Sequence, residues 1–292
     1  MEGGALAMDT DFTYYDLREG RSGKSVGLIL NGWRGDSERL AILSPHDDDA
    51  ILGAMYLSLG AISEGARVHV IVLCDGRGGY STPGERESIV SRRRAESANA
   101  YSKLGIEASR MEYPDFSLSP YVGWILPGGT EGTFPKIVGK LREIGATRLL
   151  VPNEHLEHPD HEAASRIGIF DGPQAGDPVV ADLGEPVEIR SYVKYSVWSD
   201  FAPFDALLAG RRTRADCVVR VSESVEKKVV EALGEFGSQR RIIEGLVRRR
   251  KERLYKGSYL EPYLRLDPRP PLPYNAYKKA IEDMEEGAAE VV

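Results

Sequence analysis

The chain has 292 residues, 41% of them hydrophobic and 28% charged, with a net charge of −7. A chain of that size can bury a substantial core, in one large α/β domain or two small ones. The acidic balance argues against nucleic acid as the main partner, no apolar run reaches the length of a membrane span, and Met1–Asp11 lacks the regions of a signal peptide, so a cytoplasmic location is expected.

Residues 1–38 read as an N-terminal extension, and 39–292 as the main domain with a C-terminal helical segment. Met1–Asp9 is small and weakly patterned, as disordered termini are. Tyr14, Tyr15 and Val26–Leu30 suggest a hairpin or an added edge strand. Gly20–Ser25 imitates a phosphate loop, but the glycine required five residues before Gly23-Lys24-Ser25 is Arg18, so a turn is expected.

Leu40–Leu43 is a short apolar run of the kind a buried parallel strand shows. Ser44-Pro45 ends it, and Leu52, Met55, Leu59 and Ile62 then recur at helical spacing. His46, Asp47, Asp48 and Asp49 therefore stand where a strand hands over to a helix, the place where open α/β sheets bind ligands. Three carboxylates and an imidazole crowded there call for a compensating cation.

Val68–Cys74 predicts a second buried strand, with His69 at its far end as a structural residue and Cys74 as a small buried side chain. It runs into the glycine-rich turn Asp75–Gly79. Glu85–Leu104 predicts a charged helix stopped by Gly105, and Arg110–Tyr113 a short strand. Ser119–Gly132, rich in Gly and Pro and containing Trp124, suits a substrate rim. Phe134–Gly145 predicts a helix, and Thr147–Val151 the next strand.

Val151–Ala163 reads V-P-N-E-H-L-E-H-P-D-H-E-A, again a strand end, a polar turn and a helix. Four of the five histidines, His46, His155, His158 and His161, fall in these two turns. Val187–Trp198 predicts a long strand, Val218–Val221 another, and Ser222–Phe236 a helix capped by Ser222. Arg248–Lys251 reads as a solvated helix face. The alternation of strand and helix implies a mostly parallel, Rossmann-like α/β sheet flanked by helices, with the metal site at the C-terminal ends of the strands.

An H-x-D-D motif at His46–Asp49 paired with H-P-D-H at His158–His161 resembles the PIG-L or LmbE-like family of zinc-dependent N-deacetylases. Lesser matches are the Asp75-Gly76 loop, Arg93-x-x-Glu96 followed by Leu104-Gly105, Tyr113-Pro114-Asp115, and Ser238-Gln239. The resemblance spans roughly residues 39–240. It implies one zinc per chain, with Fe2+ or another divalent cation as a substitute, held by two imidazoles and a carboxylate from His46, Asp49 and His161. By the same resemblance Asp48 is the general base, His158 the oxyanion stabiliser and general acid, and Asp160 the group that orients His158 and favours its protonated form.

The implied reaction is hydrolysis of the N-acyl group of a small amino sugar or glycoside. Arg77 or Arg93 would then meet an anionic aglycone, and Tyr80, Tyr121 and Trp124 would stack on the sugar. The chain departs from the family pattern at Asp47, where proline or an apolar residue is usual, at Ala50, and at Phe236-Gly237 before the Ser-Gln pair. Asp47 is thereby an added negative charge beside the site, and His155 is expected on the surface or just outside it. Two other readings use the same ligand types: an iron enzyme with two histidines and one carboxylate, and a non-catalytic metal-stabilised module for a sugar or nucleotide. Homo-oligomerisation is left open.

Overall fold

A computed structural model describes residues 11–203, 207 and 210–289. The weakly patterned start, Met1–Asp9, lies outside the described residues. Among the described residues ten strands form one sheet: β1 Phe12–Asp16, β2 Arg21–Gly23, β3 Arg39–Ser44, β4 Arg67–Cys74, β5 Glu107–Tyr113, β6 Arg148–Pro152, β7 Ser191–Tyr195, β8 Cys217–Ser222, β9 Leu254–Tyr255 and β10 Ser258–Leu266. Their order is β2-β1-β8-β10-β7-β6-β3-β4-β5, with β9 beside β10. The run from β7 to β5 is parallel, and the rest is antiparallel. The expected parallel sheet is therefore its core, and an antiparallel wing extends it.

Among the described residues the helices are α1 Asp49–Gly53, α2 Met55–Ser63, α3 Ile89–Leu104, α4 Thr133–Ile144, α5 Pro159–Gln174, α6 Glu223–Leu233, α7 Arg240–Arg249 and α8 Tyr274–Ala289. They cover both faces of the parallel strands. Leu40 and Ile42 of β3 join one apolar core, while Ala41 and Leu43 join the other. A strand buried on both faces loses its alternation and reads as a continuous apolar run, which is why β3, β4 and β6 stand out in the sequence. α3 and α4 end at Gly105 and Gly145, both at φ 68°, a left-handed conformation that glycine adopts without a Cβ clash. Among the described residues, no helix is long and apolar enough to cross a membrane.

The antiparallel wing was harder to foresee. Tyr14 and Tyr15 do lie in a hairpin strand, and β1 pairs along its whole length with β8, so the N-terminal extension continues the sheet. Val26–Leu28 is instead a single 3₁₀ turn whose Val26 is buried. The long strand expected over 187–198 shortens to Ser191–Tyr195 because residues 196–199 turn back towards the site. Arg250, read as part of a solvated face, is buried. It pairs with Glu226 at 2.7 Å and donates to the Leu52 carbonyl at 3.0 Å, near the end of α1.

A second buried ion pair ties the starts of β3 and β6 together. Arg148 donates to both oxygens of Glu38, at 3.0 and 2.9 Å, and to the Asn31 and Gly32 carbonyls. Burial pushes the Glu38 carboxyl up, but hydrogen bonds from Arg148, Thr147 and Arg190 outweigh it and hold the group at about 2. Because that value lies below the ordinary 4.5, the pair stabilises fully above about pH 4.5, and the contribution fades as pH falls towards 2. Glu38→Ala leaves Arg148 charged, buried and unpaired, and should cost about 3–5 kcal/mol. Denaturant titration at neutral pH measures this, and a loss below about 1 kcal/mol would remove the pair from the account.

Candidate metal centre

β3 and β6 lie side by side, with Leu40 opposite Arg148 and Ile42 opposite Leu150. The turns that follow them consequently open at one end of the sheet. From β3 the chain moves to β4 on one side, while β6 occupies the other, which makes this the sheet's switch point. Ser44 shapes the first turn: its hydroxyl donates to the His46 carbonyl at 2.6 Å and accepts the Ala50 amide at 3.1 Å. In the second turn Pro159 takes the first position of α5, where no N–H is needed. His158 caps that helix, its Nδ1 accepting the Asp160 amide at 3.1 Å.

The two turns bring His46, Asp49 and His161 together, with ligand atoms within 4.8 Å of one another. Two other sets meet the same distance, His46 with His158 and Asp160, and His46 with Cys74 and Asp115. In each of these sets the carboxylate accepts two backbone amides, whereas Asp49 accepts one, from His46 at 2.8 Å. Asp160 accepts the Phe116 and Leu118 amides at 2.7 and 3.0 Å. Asp115 accepts the Gly76 and Gly78 amides at 2.8 and 2.9 Å. Burial pushes the Cys74 thiol far above its usual range.

His161 is different. Its Nδ1 donates to Glu157 at 2.6 Å, while its buried Nε2 has no hydrogen-bond partner and faces Asp49 Oδ2 at 3.1 Å. A ring nitrogen facing a carboxylate in this way, with a second carboxylate fixing the opposite nitrogen, is the arrangement of an imidazole that binds a metal once it gives up its proton. The charges agree: against the downward push of burial, Asp49 and Glu157 raise His161 to about 9, and Asp49 and Asp160 raise His46. The donor set therefore fits a divalent cation of the zinc type.

Glu157 has no role in the sequence reading. Its Oε2 holds His161, while Oε1 accepts the Val197 and Trp198 amides at 3.0 and 3.2 Å and the Ser196 hydroxyl at 3.1 Å. The turn after β7 thus fixes Glu157, and Glu157 fixes His161. Spacing carried a signal, since residues four apart face each other on a helix. Glu157 precedes the first helical residue, Pro159, which masked it.

Asp48 is engaged by an arginine. Its Oδ1 meets Arg93 at 3.2 Å, and burial raises its carboxyl against the opposing pull of that guanidinium. Arg93 is itself buried, and each of its nitrogens is engaged: Nε with Asp47 at 3.1 Å, Nη1 with Gln239 at 2.6 Å, Nη2 with Asp48. Its guanidinium lies 5.2 Å over the Phe236 ring. Glu96 accepts the Ser238 amide and hydroxyl at 2.8 and 2.6 Å, so the Arg-x-x-Glu and Ser-Gln pairs of the sequence meet. Asp47 is neutralised inside the protein by Arg93 and Arg110, and adds no uncompensated charge to the site. Arg77 is exposed, bonds to Asp75 at 2.7 Å, and does not line the cleft.

His158 lies at the cleft, where burial and then the neighbouring His46 push its ring towards the neutral form. The Asp160 carboxylate is 3.6 Å from His158 Nδ1, so the Asp160 amide, not its carboxylate, makes the orienting hydrogen bond. His155 is half-buried in the same loop, outside the cleft.

The cleft encloses about 480 Å³, with His46, Asp48, Asp49, Arg93, His158 and Gln239 among its polar lining. Tyr80, Tyr121 and Trp124 are not part of it. Trp124 stacks on Phe134 at 5.5 Å and Tyr121 packs on Tyr113 at 5.2 Å. A larger cavity, about 760 Å³ beside Leu246, Arg250 and Tyr255, contains none of the metal-site residues, so size does not locate the chemistry here.

Three solved structures share this architecture. A conserved protein of Thermus thermophilus is 24% identical over 82% of this chain and 99% of its own, with a TM-score of 0.60. The N,N'-diacetylchitobiose deacetylase of Pyrococcus horikoshii is 17% identical over 80% and 85%, with a TM-score of 0.61. A 4-carboxy-2-hydroxymuconate hydratase of Pseudomonas putida is 17% identical over 80% and 98%, with a TM-score of 0.60. At these identities the likeness establishes the fold. A search of curated proteins gave no significant match. Residues 41–169, which carry both histidine motifs, match the PIG-L family model described as GlcNAc-PI de-N-acetylase, and the resemblance read from those motifs stands on that match.

Proposed function

We propose that the protein is a zinc-dependent N-deacetylase that hydrolyses the N-acetyl group of an amino sugar or related small glycoside. The observation that carries this is the unpartnered Nε2 of His161, aimed at Asp49 and His46 beneath a cleft that also presents Asp48 and His158. Fold alone does not select the reaction, since a hydratase shares it. The family match over 41–169 and the deacetylase among the structural neighbours favour amide hydrolysis. A bare metal-stabilised binding module, or an iron site with the same three ligands, leaves Asp48 and His158 without a task.

Zinc held by His46, Asp49 and His161 would supply a Lewis acid and bring the pKa of water to about 7. Asp48 takes a proton from the attacking water, and its burial-raised carboxyl suits that work. Arg93 keeps this carboxylate in place. The water oxygen adds to the acyl carbon. His158 has its Nδ1 occupied by the Asp160 amide, so its single proton sits on Nε2 and donates to the oxyanion. A neutral ring that keeps this proton on the oxyanion is a poor acid for the leaving nitrogen. Asp48 therefore returns the proton it took, the C–N bond breaks, and acetate and a free amine leave.

Two measurements test this. Glu157→Ala frees the His161 ring, and should weaken zinc binding about 10–100-fold in a chelator competition. Unchanged affinity would separate Glu157 from the metal site. Asp48→Ala should keep one equivalent of zinc while free-amine release from an N-acetylglucosamine glycoside drops about 10²–10⁴-fold. Loss of the zinc instead would exchange the roles of Asp48 and Asp49, and release at the wild-type rate would end the base assignment.

A further inference from the structure

Helix α8 stands on the outside of the protein. Every residue over 271–286 is exposed, so no other part of the described chain covers it. The stretch before it, 267–273, reads D-P-R-P-P-L-P, and its four prolines make a stiff spacer. Arg269 anchors the base of that spacer, bonding to both oxygens of Asp177 at 2.7 and 2.6 Å. The helix is thereby held out from the body instead of folding back on it.

Its direction follows from the sheet. β10 runs antiparallel to β7, so Leu266, opposite Tyr192, ends β10 where β7 begins. The turns of the metal centre follow the other ends of β6 and β7. α8 therefore departs from the end of the sheet away from the metal.

The helix carries an apolar stripe. Tyr274, Tyr277, Ile281 and Met284 recur at spacings of three, four and three. At about 100° per residue they fall within about 80° of arc, the seam of a packed helix pair. Their exposures are 63%, 59%, 55% and 73%. Single exposed apolar side chains are ordinary, but four in one line are not. A helix of 16 residues is also marginal by itself in water. Its charges give no help, because Lys278 and Lys279 precede Glu282, Asp283, Glu285 and Glu286, against the helix dipole.

The same charges select the partner. Four carboxylates against two lysines repel anionic lipid and nucleic acid. Lys279 is bonded within the helix to Asp283 at 3.1 Å. Lys278 and Glu285 lie along one edge of the stripe, seven residues apart, and Ala280 lies along the other. Two copies of α8 packed antiparallel bring Lys278 of each beside Glu285 of the partner subunit. Two-fold symmetry makes that contact twice. A parallel pair sets both charges against the alanine edge.

We infer that α8 is a self-association helix, through which two copies of this chain pair antiparallel on Tyr274, Tyr277, Ile281 and Met284. The inference is independent of the reaction proposed above, and its test needs no substrate.

Sedimentation velocity of the whole chain from about 1 to 100 μM should show a reversible monomer–dimer equilibrium, with a Kd of about 10 μM for a seam of this size. Ile281→Glu/Met284→Glu puts a carboxylate at two of the four seam positions in each copy, and should raise Kd about 100-fold. Lys278→Glu turns both edge contacts repulsive, and should raise Kd about fivefold at low salt. Lys278→Glu/Glu285→Lys should restore the wild-type value. Each changed side chain is exposed, so the α/β body folds as before. A monomer across the whole range overturns the inference, as does a dimer that survives Ile281→Glu/Met284→Glu. A Kd unmoved by Lys278→Glu overturns the antiparallel arrangement. Flotation with phosphatidylcholine vesicles that Ile281→Glu/Met284→Glu abolishes would assign the stripe to a lipid surface, and overturns it too.

Discussion

Three consecutive carboxylates buried at one strand end constrain everything around them. Asp47, Asp48 and Asp49 are all nearly inaccessible to solvent, and three such charges cannot share one turn without separate compensation. Each finds its own. Asp47 is taken by Arg93 and Arg110, Asp48 by the far side of Arg93, and Asp49 by the imidazoles of His46 and His161. Two of these solutions are permanent ion pairs within the protein. The third is made of donors that a divalent cation can replace, and that difference turns a strand end into a candidate active site.

The sheet exists in the form that makes this compensation work. Adjacent parallel strands β3 and β6 deliver Asp49 and His161 to one another, and the buried Glu38–Arg148 pair ties together the opposite ends of the same strands. The antiparallel wing contributes from the side. The turn after β7 supplies the amides that hold Glu157, and α7 begins just after Ser238 and Gln239, which lock Glu96 and Arg93. Asp48 and Asp49 are thus held by groups from other elements, and His161 is held through Glu157 by the turn after β7, as a preorganised site requires.

Most of the parallel core was legible because doubly buried strands print as uninterrupted apolar runs, and because motifs at strand ends carry the chemistry. His46, Asp48, Asp49, His158 and His161 could be picked out for that reason. The antiparallel wing was less legible. β10 contains Pro262 and a buried Glu261, which break a strand pattern; Pro262 falls just before pairing with β7 begins at Tyr263, where its missing N–H costs no ladder bond in that pairing. Pairing between distant segments was out of reach. Nothing local to Asp47 announces Arg110, nothing local to Arg250 announces Glu226, and Arg93 read as a substrate contact until its three nitrogens were seen to be spoken for. Aromatic residues in the long Ser119–Gly132 loop looked free, but Tyr121 and Trp124 pack on their own neighbours.

The central claim is the position of the cation, and an anomalous difference map from crystals of the zinc-loaded protein measures it directly. The account predicts one strong peak per chain, bounded by His46, Asp49 and His161, with Glu157 still on the His161 ring. A peak bounded instead by His158 and Asp160, or by Cys74 and Asp115, would contradict it.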